Sequence, residues 1–171
     1  VTFTFFMRTL LQILPILLIL TAPSIAAEGK LPVCAVLTLD ASGDATASEA
    51  GMLSNIISVN VARSRRYSVI PRYKLNQMLS RQRYSRSAHK SAAASALAAG
   101  RLLRADYILF GTLSRSGIKN EASASLLDVT SGRIIDSLQV ASSGDAASFR
   151  SKAGAQVSRK LLGQATTQKS S

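Results

Sequence analysis

Residue types that commonly carry catalysis or bind metals are scarce in this 171-residue sequence. His89 is its one histidine and Cys34 its one cysteine, whereas a metal site needs several such ligands close together. His89 stands in a basic, Ser-rich stretch, where we interpret it as an exposed helix residue. The sequence therefore predicts no metal site and no bound cofactor.

Two carboxylates are the remaining candidates for chemistry. Asp40 and Asp44 flank a predicted loop after the first predicted strand, where sites in α/β proteins tend to open. They could act as acid and base in a hydrolase of the cell wall, but turn and capping roles explain them more simply. The chain also lacks the G-x-S-x-G and G-x-x-x-x-G-K-[ST] motifs. We therefore predict no catalytic residues and a protein that is not an enzyme.

An export signal is predicted at the N-terminus. From a start at Met7, Arg8 provides a positive charge, an apolar run covers Leu10–Leu20, and Ser24–Ala26 fits a small-residue cleavage site. Cleavage after Ala26 divides the chain into a signal peptide (1–26), one domain (27–165) and a disordered tail (166–171). The alternative is a retained membrane anchor, because Leu10–Ala27 is 18 residues long, near the lower limit of about 17 to 25 residues for a spanning helix.

Cys34 bears on whether the exported protein carries a lipid anchor. A lipoprotein needs a small residue before its acylated cysteine, but Val33 precedes Cys34, and both follow the cleavage site. We expect Cys34 to be a buried strand residue, since a free cysteine packs like a small hydrophobe. The predicted location is the periplasm, without a lipid anchor on this residue.

Charge is unevenly distributed. The formal net charge is +12, and every charged residue between Ala50 and Ala105 is basic. Such a run is either a solvated helical face or a patch for an anionic partner. The predicted partner-binding residues are Arg63, Arg65, Arg66, Arg72, Lys74, Arg81, Arg83 and Arg86. The run continues with Lys90, Arg101 and Arg104.

Hydrophobic periodicity predicts alternating strands and helices in the order β-α-β-α-α-β-β-β-α. A capping box at Thr46 and Glu49 predicts a helix start. The glycine in the strongest strand, Gly111, predicts a bulge or a close contact. The predicted strands are Val33–Leu39, Tyr67–Ile70, Tyr107–Leu113, Ile118–Val129 and Ile134–Ala141, and the predicted helices lie near 46–64, 75–79, 88–104 and 145–162. The expected fold is a single-domain α/β sandwich, with a mixed sheet of about five strands and helices packed on it.

The chain also resembles the domain shared by CsgG-type curli secretion-channel subunits, LpoB-type lipoprotein activators of penicillin-binding proteins, and the N-terminal domain of periplasmic TolB. The resemblance is carried, in order, by VCAVLTLDASG (33–43), RYSVIPRYKLNQML (66–79), LLRADYILFGTLSR (102–115) and SLLDVTSGRIIDS (125–137). It implies the same fold and a role in assembly or scaffolding around the outer membrane and cell wall. It implies no enzymatic activity.

Function is therefore predicted to be non-enzymatic binding in the bacterial envelope, through a basic helical face. The partner would be an envelope protein or an anionic envelope polymer; contact with a membrane surface and self-association stay open. A nucleic-acid-binding role is the alternative, because Tyr67, Tyr73 and Tyr84 are interleaved with arginines. Export argues against nucleic acid as a partner.

Overall fold

A computed structural model describes residues 30–85 and 91–164. Four helices and six strands follow one another along these residues. Their bounds are β1 Val33–Val36, β2 Asp40–Gly43, α1 Ala47–Arg63, β3 Ser68–Val69, α2 Arg72–Arg81, α3 Ala92–Leu103, β4 Tyr107–Ser116, β5 Lys119–Asp128, β6 Ile134–Ser143 and α4 Ala146–Gln164. The predicted tail and the predicted signal peptide lie outside the described residues.

The strands form one mixed sheet in the order β3-β1-β4-β5-β6, with β2 also paired to β4. Strands β1 and β2 both run parallel to β4, and β5 runs antiparallel between β4 and β6. The predicted α/β sandwich with a mixed sheet is confirmed, as is the antiparallel pairing of the last two strands.

The predicted loop at Asp40–Asp44 is wrong, because residues Asp40–Gly43 form β2 and pair with Thr112–Arg115. All residues of β2 are exposed, so no hydrophobic alternation marks them as a strand. Backbone hydrogen bonding to a neighbouring strand overrides the turn preference of Asp, Ser and Gly. The sheet consequently has one strand more than expected.

The short break between β1 and β2 is held by a serine of α1. The Leu39 amide donates to Ser54 Oγ at 2.9 Å, and Ser54 Oγ donates to the Ala50 carbonyl at 2.6 Å. Both Leu39 and Ser54 are buried. The hydroxyl therefore satisfies a buried amide that neither strand pairs.

Helices α1 and α4 cover one face of the sheet. The predicted apolar stripe of α4 is confirmed, since Phe149, Ala153, Val157 and Leu161 are all buried against this face. The capping box is confirmed as well: Glu49 N donates to Thr46 Oγ1 and Thr46 N donates to Glu49 Oε2. Local sequence signals thus place both helices correctly.

Helices α2 and α3 cover part of the opposite face, where a second cluster includes Leu75, Leu103, Ile108 and Leu127. Buried members of the two clusters all lie between Cys34 and Leu161. Residues from Leu31 onward also form a compact unit distinct from Val1–Lys30. Within the described residues, the core therefore extends from β1 to α4.

Candidate functional site

The parallel strands begin at one end of the sheet, and backbone hydrogen bonds join the segments that meet there. Ser68 N donates to the Pro32 carbonyl and Asp106 N to the Val33 carbonyl, each at 2.9 Å. Val129 N donates to the Asp106 carbonyl at 2.9 Å. The connections α1–β3, α3–β4 and β5–β6 therefore all lie at this end.

Helix α4 runs parallel to α1 and ends at the same place. Arg150 near the start of α4 contacts Glu49 near the start of α1, and Gly154 lies against Ile56 one to two turns later. Because both helices rise about 1.5 Å per residue, Lys160 lies level with the last turn of α1. Three helix C-termini thus meet at this end of the domain.

Exposed basic side chains gather here from separate parts of the chain. We call this surface the basic end; its residues are Arg63, Arg65, Arg66, Arg101, Arg104, Arg133, Arg159 and Lys160, all exposed. Arginines in the last turns of α1 and α3 complement the negative ends of those helices. Arg66 and Arg133 lie in the connections, beyond the helix ends, so helix capping does not explain them.

Acidic residues at this end are engaged with backbone amides. Asp106 Oδ2 accepts from Val33 N at 2.7 Å, and Asp128 Oδ1 accepts from Ser131 N at 2.8 Å. The ion pairs of Glu49 with Arg115 and Arg150 lie at the other end of the sheet. The basic end therefore carries a large excess of positive charge.

Two of these arginines adopt the left-handed backbone region. Arg65 has φ 53° and Arg104 has φ 51°, and Arg104 is the C-cap of α3. Helices usually place Gly or Asn in this conformation, because a residue with a Cβ pays about 1 to 2 kcal/mol there. A positive charge is thus present at two positions where a smaller residue would be more stable.

The structure separates the basic residues that the sequence grouped together. Arg63, Arg65 and Arg66 lie at the basic end, whereas Arg72 and Lys74 begin α2 at the opposite end of β3. Arg81 and Arg83 lie at the end of α2, and Arg86 lies outside the described residues, as do His89 and Lys90. The predicted residues therefore do not share one helical face. Sequence reasoning missed Arg133, Arg159 and Lys160, which only the topology brings to Arg63.

Arg72 is placed differently from the exposed arginines. Its Nη1 donates to Thr38 Oγ1 at 2.6 Å, and its Nε and Nη2 are buried without a hydrogen-bond acceptor in the described part of the chain. Burial lowers the pKa of this guanidinium from its usual value. Arg72 bridges α2 to the break between β1 and β2 and is not available as a surface charge.

At the opposite end of the sheet, Glu49 joins three elements. Its carboxylate accepts from Arg115 Nη1 at 2.6 Å and from Arg150 Nη1 at 3.0 Å. The backbone amide of Thr46, followed by the Arg115 side chain, lowers the pKa of Glu49 from 4.5 to about 2. This carboxylate links α1, β4 and α4, so its role is structural.

We expect acid to remove the contribution of Glu49 to stability. A carboxyl whose pKa is lower in the folded than in the unfolded state stabilises the fold above pH 4.5, and that stabilisation is lost as the pH falls toward about 2. Urea unfolding at a series of pH values should therefore give a shallower acid loss for Glu49→Gln than for the wild type. Glu121→Gln, which removes a charge from an exposed strand position, serves as the control and should keep the wild-type slope. Equal slopes for Glu49→Gln and wild type would contradict the assignment.

Asp40 and Asp44 do not form an acid–base pair. They lie at the start of β2 and just after its end, so their Cα atoms are about 13 Å apart at about 3.3 Å per residue. Asp44 Oδ2 accepts from Gly117 N at 3.0 Å, and its carbonyl accepts from Arg115 Nη2 at 2.6 Å. Paired glycosidase carboxylates lie about 5 to 9.5 Å apart. The hydrolase alternative has no geometric support at these residues.

Other reactive side chains are also accounted for. Cys34 is fully buried, and desolvation raises its pKa to about 12, so the predicted buried strand cysteine is confirmed. No group of His, Cys, Asp or Glu within the described ranges could hold a metal ion. None of the helices in those ranges is long and apolar enough to cross a bilayer.

The tyrosines that suggested nucleic-acid binding do not form a stacking surface. Tyr67 is buried and packs edge-on against Tyr107, with ring centroids 5.7 Å apart. Tyr84 is half-buried and donates to the Ser95 carbonyl. Tyr73 alone of the three is largely exposed, whereas single-stranded nucleic acid is bound by several stacked rings.

Comparison with solved structures defines the class of fold. The chain is similar to the lipoprotein GNA1162 from Neisseria meningitidis, with a TM-score of 0.55 and 13% identity over 79% of this chain and 96% of that one. It is similar to the LpoB C-terminal domain from Salmonella enterica, with a TM-score of 0.50 and 18% identity over 69% and 88%. No family model matches the sequence, and no match to a curated protein was found.

TolB from Acinetobacter baumannii shares the fold as well, with a TM-score of 0.52 and 16% identity over 81% of this chain. This chain covers 29% of that TolB chain, so the likeness concerns one part of it. The resemblance to LpoB and TolB expected from the sequence is thus confirmed as a shared fold. The resemblance to CsgG stays a prediction.

Proposed function

We propose that this protein is a non-enzymatic binding module of the bacterial cell envelope that holds an anionic or acidic partner at its basic end. The observation that carries the proposal is the concentration of exposed positive charge at one end of the domain, where none of the eight basic side chains has an ion pair with another described residue. Of the residues predicted from the sequence, Arg63, Arg65 and Arg66 contribute to it. Eight like charges held together repel one another, and an anionic partner relieves that repulsion.

The envelope assignment has two supports. The first is the predicted export signal at 1–26, which would direct the domain to the periplasm. The second is the fold, which the chain shares with a protein described as a lipoprotein, GNA1162, and with LpoB and TolB. The proposal does not require a lipid on Cys34, because that side chain is buried in β1.

Exposed charges give the interaction a specific physical signature. Attraction between solvent-exposed groups is screened beyond about 10 Å at 0.1 M salt. Binding through the basic end should therefore weaken steeply with salt. A partner held by an apolar pocket would respond in the opposite way or not at all.

Fractionation of bacteria that produce the full chain tests the proposal. We expect the protein in the envelope fraction, released by raising the salt from about 0.05 to about 0.5 M. Chemical crosslinking in place before lysis would show which molecule contacts the basic end. A fully cytosolic protein, or envelope retention that salt does not change, would contradict the proposal.

A further inference from the structure

The route of the chain into the domain adds information about the partner. Leu31 and Pro32 lead into β1, and the Pro32 carbonyl accepts a hydrogen bond from Ser68 N at the basic end. Leu31, whose side chain is exposed, therefore lies at the same end of the domain as the basic residues.

The distribution of charge over the basic end bears on the kind of partner. Its charges come from the ends of α1, α3 and α4 and from the β5–β6 turn, which lie on both sides of the sheet. A small depression beside Glu49, Arg115 and Arg150 lies at the opposite end. Clusters of lysines and arginines are typical of surfaces that contact anionic headgroups.

We propose that the basic end is a membrane-docking surface, which binds the anionic headgroups of a lipid bilayer and turns the start of the parallel strands toward the membrane. This inference rests on the proposed function and names the partner that the function leaves open. A positive surface beside the exposed side chain of Leu31 combines electrostatic and apolar contacts with a bilayer at one place. Among the described residues three arginines adopt the left-handed backbone region, and two of them, Arg65 and Arg104, lie at this surface.

Protein-free vesicles test this directly with the chain that begins at Ala27, the predicted mature protein. The vesicles are phosphatidylcholine, alone or with about one third phosphatidylglycerol. We expect co-sedimentation with the anionic vesicles at about 50 mM salt, loss at about 500 mM, and no binding to phosphatidylcholine alone.

Matched variants assign the binding to the basic end. Arg65→Asn, Arg66→Gln and Arg104→Asn together remove three charges from it, and Asn suits the left-handed positions. Lys74→Gln, Lys119→Gln and Lys152→Gln remove three exposed charges from the other end. We expect affinity for anionic vesicles to fall roughly 100-fold in the first variant and to stay within about threefold in the second. Circular dichroism and urea unfolding verify that both variants fold.

Three results would overturn the inference. The wild type could fail to bind anionic vesicles, or the two variants could lose affinity equally. Soluble polyglutamate could also bind more tightly than the vesicles through the same arginines, in which case the partner is an acidic polypeptide. None of these results would contradict the proposed function, whose test is salt-sensitive retention in the cell envelope. If the protein bound vesicles but fractionated with the cytosol, the proposed function would be contradicted and the membrane-docking inference would not.

Discussion

Replacing Gly111 with alanine is expected to destabilise the domain by at least about 3 kcal/mol. Gly111 pairs with Ala124 in the middle of β4, and a Cβ at this position would lie 1.9 Å from the Ser123 carbonyl oxygen. The obstructing atom belongs to the backbone of β5, so a change of rotamer cannot relieve the clash. Strands β4 and β5 would have to separate at the centre of the sheet. Urea unfolding monitored by circular dichroism measures the loss.

Gly51→Ala is the matched control. Gly51 lies inside α1, and nothing lies within 4 Å of the position its Cβ would take. Alanine is favoured over glycine in a helix by about 0.5 to 1 kcal/mol, so this variant should be as stable as the wild type or more stable. If Gly111→Ala were as harmless as Gly51→Ala, the close approach of β4 and β5 would be refuted.

Loss of the Ser54 hydroxyl should have the second-largest effect on stability. In Ser54→Ala, the buried amide of Leu39 loses its acceptor, and no strand pairs with it at the break between β1 and β2. An unsatisfied buried donor costs about 1 to 3 kcal/mol, which exceeds the small gain in helix propensity from alanine. The free energy of unfolding should fall by this amount.

Ser158→Ala separates that effect from the loss of any buried hydroxyl. Ser158 is also buried in a helix and also donates to the carbonyl four residues earlier, that of Gly154. The described contacts give Ser158 Oγ no backbone amide to satisfy. Its replacement should therefore change stability by less than about 0.5 kcal/mol. Equal losses for the two serines would show that Leu39 N does not depend on Ser54.

Both tests bear on function because β4 begins at the basic end. Asp106, just before β4, accepts hydrogen bonds from Val33 N and Val129 N and so joins three connections there. A domain in which β4 and β5 separate would no longer hold Arg104 and Arg133 near each other. We therefore expect Gly111→Ala to bind vesicles more weakly under conditions in which it is unfolded. Ser54→Ala should bind vesicles as the wild type does under conditions in which it stays folded.

The sequence alone predicted most helices and strands because their signals are local. The capping box at Thr46 and Glu49 lies within one turn, and the stripe from Phe149 to Leu161 repeats within one helix. Alternation along β5 and β6 likewise predicted a hairpin. The close contact at Gly111 was also anticipated, since a glycine inside a strong strand signals a missing side chain.

Tertiary structure decided what lies beyond such short segments. Strand β2 exists because Asp40–Gly43 pair with residues some seventy positions later, and no burial pattern in its exposed side chains reveals that pairing. The candidate site also depends on long-range packing. The basic residues between Ala50 and Ala105 lie at different ends of the domain, and some of them lie at the same end as Arg133, Arg159 and Lys160. Helices and strands can be predicted from the sequence because their periodicity involves residues close together in the chain. The meeting of three helix ends depends instead on strand order and helix direction, which only long-range packing sets.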